Sequence, residues 1–117
     1  PRVELFDDLA LCSRKFGGES WSSICDLIIA HLPEKVYISF DIDVLSIENC
    51  PSTGTPVPGG LTFNEAMWLV GRVAESGRRI VGFDLCEVAT ARESSTDANV
   101  GARVLFKLCG QTLKSAS

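Results

Sequence analysis

Two carboxylates one residue apart close a short apolar run, Tyr37-Ile38-Ser39-Phe40-Asp41-Ile42-Asp43, and no other pair in the chain is so well suited to holding a cation. In an extended strand residues i and i+2 point to the same side, so Asp41 and Asp43 can converge on one ion while Ile42 turns into the core. Hard oxygen donors of this kind suit Mg²⁺ or Mn²⁺. The placement fits as well, because ligands of open α/β sheets gather in the crevice beyond the carboxyl ends of parallel strands. A bare Asp-x-Asp equally describes an acidic strand-to-loop turn. A second apolar run, Ile80 to Leu85, ends in comparable chemistry at Asp84 and Glu87.

The other reactive side chains point elsewhere. Five cysteines (Cys12, Cys25, Cys50, Cys86 and Cys109) form no Cys-x-x-Cys and leave one unpaired under any full pairing, which indicates neither a zinc framework nor a disulfide scaffold. They read as reduced thiols of a reducing compartment, hence a cytoplasmic protein. Cys25, Cys86 and Cys109 fall within apolar patterns and are expected to fill the core. His31, the single histidine, stands at the end of a helical run before Pro33 and is expected to meet the helix C-terminus rather than a metal. A net charge of -4 gives no electrostatic footprint for nucleic acid. Apolar stretches such as Leu27 to Ala30 are too short to cross a bilayer, so neither partner is expected.

The elements that must position these residues follow from periodicity and caps. Trp21, Ile24, Cys25, Leu27, Ile28 and Leu32 recur at helical spacing from Ser20, and Pro33 stops the run. Val36 to Asp41 reads as a strand. Residues 42 to 61 show no periodicity and carry Pro51, Gly54, Pro56, Pro58, Gly59 and Gly60. So long a connection is uncommon inside a compact domain, and one leaving an acidic strand end predicts an ordered active-site loop. Thr62-Phe63-Asn64-Glu65 is a capping box that opens a helix to about Ser76, with Gly77 as its stop. Ile80 to Leu85 is a second strand, and a last helix spans roughly Ala98 to Cys109 with Val100, Val104, Leu105 and Leu108 on its apolar side. Residues 1 to 18 leave two readings, a short strand or an interface segment.

Strand, helix and strand in that order imply parallel pairing with a right-handed crossover, so the architecture is α/β. Two strands are fewer than the usual sheet of about four to six. Both are continuously apolar, and each therefore expects helices on both faces and neighbours on both edges. The expectation is a three-layer sandwich with a mainly parallel sheet, of which residues 1–117 form a single partial domain.

Read together, Ser39-Phe40-Asp41-Ile42-Asp43, Gly54-Thr55-Pro56-Val57-Pro58-Gly59-Gly60-Leu61 and Gly82-Phe83-Asp84-Leu85-Cys86-Glu87-Val88 resemble the ureohydrolase family of arginases, agmatinases and formimidoylglutamases. Three motifs in this order are specific in a way that none is alone. The resemblance runs from at least Val36 to Leu108, and Gly101 to Leu105 looks like the small-residue C-terminal helix of that family. It implies the C-terminal portion of a protein that holds two manganese ions and cleaves a C–N bond of a guanidino or amidino substrate by a metal-bridging hydroxide. Asp41 would bridge both metals and Asp43 would ligate one. Glu87 would face the cationic group of the substrate, and Thr55 would help to hold it, which makes Asp41 and Glu87 the catalytic pair. A homo-oligomer, trimer or hexamer, is the implied assembly.

Two departures accompany the resemblance. The family usually continues its acidic strand with a further Asp-Pro, where Ser46-Ile47 stand here, and this bears on loop geometry. The family's other ligands, a His and an Asp-x-His-x-Asp cluster, are absent from these residues, so the remainder of the parent protein would have to supply them. A degenerate, non-catalytic relative is one alternative. Another is a haloacid-dehalogenase-like Mg²⁺-dependent phosphatase, in which the first Asp is the nucleophile. Those enzymes usually place Thr or Val two residues after the second Asp, where Leu45 stands, and need a downstream Lys and acidic pair not found here.

Overall fold

A computed structural model describes residues 2–117. Helix α1, Asp8–Phe16, stands near the N-terminus and overturns the short strand, one of the two readings there. Asp7 caps it by accepting the Ala10 amide at 2.8 Å, Asp8 stands in its first turn, and Arg14 and Lys15 close it, all in the sense that complements the helix dipole. None of its residues is buried: Leu9 and Phe16 lie on one side of it at helical spacing but stand exposed, so its apolar stripe does not pack into the core. Helix α2, Trp21–Ala30, starts at Ser20, whose hydroxyl accepts the Ser23 amide, and it buries Ile24, Cys25 and Ile29. His31 ends it with Nδ1 2.9 Å from the Leu27 carbonyl, at the helix C-terminus as expected.

Strands β1, Lys35–Asp41, and β2, Arg79–Cys86, lie parallel. Helix α3, Phe63–Glu75, connects them. Its capping box is complete: the Thr62 hydroxyl accepts from the Glu65 amide and the Glu65 carboxylate accepts from the Thr62 amide, both at 3.0 Å. The strand register breaks between Val36 and Tyr37 and then runs from Tyr37 opposite Gly82 to Asp41 opposite Cys86. Helix α4, Thr96–Ala116, begins before and ends well after the expected span. Beyond Cys109 the sequence turns polar and the periodicity fades, but the Ser115 hydroxyl accepts the Ile80 amide at 2.9 Å and pins the last turn to the start of β2.

Phe40, Ile42, Leu45, Cys50, Ala66, Val70, Val104 and Leu108 form one core cluster under the strand ends. Ile29, Val36, Val73, Ala74 and Ile80 form a second. Helices α2, α3 and α4 therefore share one face of the sheet. Tyr37, Ser39 and Asp41 alternate to the other face, which no helix covers among the described residues. This chain thus carries two layers of α/β architecture with a parallel sheet. The cysteine expectation is corrected in part: Cys25 is buried, but Cys86 and Cys109 are exposed, and Cys50 fills the core instead. Cys86 belongs to the uncovered face of β2, and Cys109 to the outer side of α4.

Candidate functional site

The four residues singled out for chemistry lie at the carboxyl ends of the two strands. Asp41 is the last residue of β1 and is exposed. Asp43 is half-buried and belongs to a 3-10 turn, Ile42–Val44, so the strand pleat does not set its direction. That corrects the reason for expecting the two carboxylates on one side: the chain turns directly after Asp41. Ile42 still enters the core, fully buried. Asp41 pairs in register with Cys86, which places Glu87 one residue beyond the neighbouring strand end.

The connection from 42 to 61 is ordered. A second 3-10 turn, Ile47–Asn49, follows the first, and Leu45 bridges Leu61 in parallel. The Ser46 amide donates to the Leu61 carbonyl and the Leu61 amide to the Val44 carbonyl, each at 2.9 Å. Four consecutive residues of this loop then reach three other segments. The Ser52 amide donates to both carboxylate oxygens of Asp97 at 3.2 and 3.1 Å. The Thr53 hydroxyl donates to the Glu87 carbonyl at 2.9 Å. A side chain at Gly54 would stand 4.0 Å from Glu87 Oε2. The Thr55 hydroxyl donates to Asp43 Oδ2 at 2.6 Å. The tip of β1, the tip of β2 and the first turn of α4 are thereby tied to one stretch of backbone.

Sequence reasoning named Thr55 but missed Ser52, Thr53 and Asp97. Ser-Thr-Gly-Thr offered a signal in its three hydroxyls within four residues, and Asp97 offered one as an acid in the first turn of a helix. Asp84 behaves as expected of a residue that orders a strand end. It accepts from Ser39 at 2.9 Å, Cys86 at 3.3 Å and Tyr37 at 3.1 Å. The Ser39 hydroxyl, then the Cys86 thiol and the Tyr37 hydroxyl, hold its carboxyl below the usual carboxylate range. The same contact with Asp84 pushes the Cys86 thiol up.

Among the described residues no group of three or more His, Cys, Asp or Glu side chains stands together as a metal site. Asp41 and Asp43 have the right donor chemistry for a hard cation but make only part of a ligand set. An apolar cleft of about 330 Å³ runs along the free edge of β1, lined by Leu32, Val36, Ile38, Phe40, Leu69 and Val70 among others. Of the four candidate residues only Asp41 reaches it, so its chemistry is that of a packing surface.

The sequence pattern of the arginase family matches residues 11–110. N(1)-aminopropylagmatine ureohydrolase of Thermococcus kodakarensis is 41% identical over 95 residues, 81% of this chain and 32% of the relative. Agmatinase of Pyrococcus horikoshii is 36% identical over 91 residues, 74% of this chain and 30% of the relative. Among solved structures, proclavaminate amidino hydrolase from Streptomyces clavuligerus superposes with a TM-score of 0.74 at 31% identity, covering 86% of this chain and 34% of that one. The chain therefore spans about a third of the length of these relatives. A match across both strands, the loop between them and α4 sets the phosphatase alternative aside, and the chain belongs to the arginase family.

Proposed function

We propose that this chain is the strand-end portion of a ureohydrolase that cleaves a C–N bond of a guanidino or amidino substrate. The observation that carries the reading is the gathering of Asp41, Asp43, Thr55 and Glu87 at the carboxyl ends of two parallel strands, with Thr55 bonded to Asp43. The names of the relatives, ureohydrolase, agmatinase and amidino hydrolase, support the substrate class.

Asp41 and Asp43 would hold two manganese ions together with ligands from the rest of the parent protein. When bound, such ions supply Lewis acidity and a water acidic enough to be a nucleophile near neutral pH. The protein side chains do the positioning. The Thr55 hydroxyl donates its hydrogen bond to Asp43, which fixes the carboxylate and leaves the hydroxyl lone pairs free to accept from a substrate N–H. Glu87 presents a carboxylate whose two oxygens match the planar N–H pair of a guanidinium. Held in this way, the substrate carbon would meet the nucleophile in one orientation. A homo-oligomer, trimer or hexamer, is the proposed assembly; Trp68 on α3 and Phe106 and Leu113 on α4 are exposed apolar groups that support burial against further protein.

The test is metal analysis of the full polypeptide carrying this chain, then assay of arginine, agmatine and formimidoylglutamate for release of urea or formamide. Bound manganese with turnover of one of these is the expected result. A protein that binds no manganese and turns over none of them would overturn the proposal.

A further inference from the structure

Glu87 is the one non-glycine residue with positive φ, 68°, among the described residues. A glutamate gains nothing from that conformation, which costs about 1–2 kcal/mol for a residue with a Cβ, so its surroundings must hold it there. The group that does so is Thr53, 5% exposed, whose hydroxyl donates to the Glu87 carbonyl at 2.9 Å. Thr53 is in turn seated by its neighbour. The Ser52 amide is held by both oxygens of Asp97, the one buried charged side chain among the described residues at 2% exposure. Asp97 lies in the first turn of α4, where free amides and the helix dipole favour a carboxylate, and the Ser95 side chain makes no cap there. Two residues further along the same loop, Thr55 bonds Asp43.

We infer that Thr53, seated by the Asp97–Ser52 contact, is a positioning residue that sets where the Glu87 carboxylate stands relative to Asp43 and Thr55. The inference rests on the ureohydrolase reading for its consequence in turnover, but the clamp is a property of this chain. A hydroxyl at 53 fixes the peptide that follows Glu87, the left-handed backbone turns the Glu87 side chain toward Gly54, and both ends of the Ser52–Thr55 stretch are anchored. Without the hydroxyl, Glu87 is free to relax into an ordinary conformation and carry its carboxylate away from the loop.

The experiment uses the full, manganese-loaded polypeptide with Thr53→Val, Thr53→Ser and Asp97→Ala. Thr53→Val keeps the shape and removes the donor, and kcat/KM toward the guanidino substrate falls about tenfold or more at unchanged manganese content; Thr53→Ser restores it to within about twofold. A purely structural role would lower the denaturation free energy of Thr53→Val and leave kcat/KM of the folded protein unchanged. Amide exchange gives a readout independent of turnover: Asp97→Ala speeds exchange of Ser52, whose amide loses both carboxylate acceptors, about tenfold. Wild-type kinetics in Thr53→Val overturn the inference. Should the unsubstituted protein turn over no guanidino or amidino compound, the functional proposal fails by itself. Accelerated exchange would then keep the clamp, and unchanged exchange would discard it.

Discussion

At the residue scale, the proposed roles of Glu87 and Asp43 are separable by charge. Glu87→Gln keeps the size and removes the charge that pairs with a guanidinium, a contact whose loss costs about 1.5–3 kcal/mol. With about 1.4 kcal/mol per factor of ten, kcat/KM should fall at least about tenfold while manganese content stays unchanged. Wild-type kinetics toward every guanidino or amidino substrate would make Glu87 a bystander. The thiols give a second test. Burial pushes the Cys25 thiol up to about 11 and raises that of Cys50 as well. Both should resist alkylation at mildly alkaline pH in the native protein and react on unfolding, as peptide mass mapping would show. Modification of either in the native state would contradict the packing under the strand ends.

At the element scale, the loop from 42 to 61 is ordered with Ser46-Ile47 where the resemblance led to the expectation of Asp-Pro. Asn49 donates to the Ser46 hydroxyl at 3.1 Å, and the Ser46 backbone pairs with Leu61, so Ser46 closes the turn through both its side chain and its amide. Gly60 is what permits that pairing: its φ is +71°, and a Cβ would come within 2.9 Å of backbone atoms of Val44, Leu45 and Ser46. Gly60→Ala should therefore cost more than the roughly 1–2 kcal/mol of a left-handed alanine alone, read as a drop in denaturation free energy. A neutral substitution would show that the loop closes in another way.

The cap of α3 carries a pH dependence. Burial would raise the Glu65 carboxyl, but the Lys15 ammonium and the Thr62 amide outweigh it and hold it below the usual range. Because the folded value is depressed, this stabilisation is complete above the unfolded value of about 4.3 and is lost as pH falls through the lower folded value. The Tm difference between the parent chain and Glu65→Gln should shrink across that acidic window and vanish below it. A difference constant with pH would refute the ionic contribution.

At the scale of the whole molecule, α4 joins the layers, since Val104 and Leu108 sit in the same cluster as Phe40, Ile42 and Val70. Leu108 is fully buried, so Leu108→Ala should cost about 2–5 kcal/mol, whereas Phe106, two positions away and 77% exposed, should tolerate serine in this chain within about 0.5 kcal/mol. Equal effects on chemical denaturation would mean that α4 presents a different face to the sheet. The uncovered sheet face and the apolar cleft along β1 complete the picture of a molecule whose organised end is the one where the strands stop.

Both strands, the capped α3, the parallel crossover and the acidic strand ends were legible in the sequence because each rests on local chemistry: an apolar run, a Thr-x-x-Glu box, a Gly stop. Helix α1 was not, because it is only nine residues long and its apolar positions, Leu9 and Phe16, are not anchored in the core. The last turns of α4 were not, because a contact between Ser115 and β2 extends the helix where its own residues do not. Asp41, Asp43, Thr55 and Glu87 could be chosen from motifs, but their arrangement depends on bonds between residues far apart in the chain. Thr53 and Asp97 meet their partners 34 and 45 positions away. No local pattern encodes such a pairing; it exists only once the parallel strands and α4 have brought those backbones together.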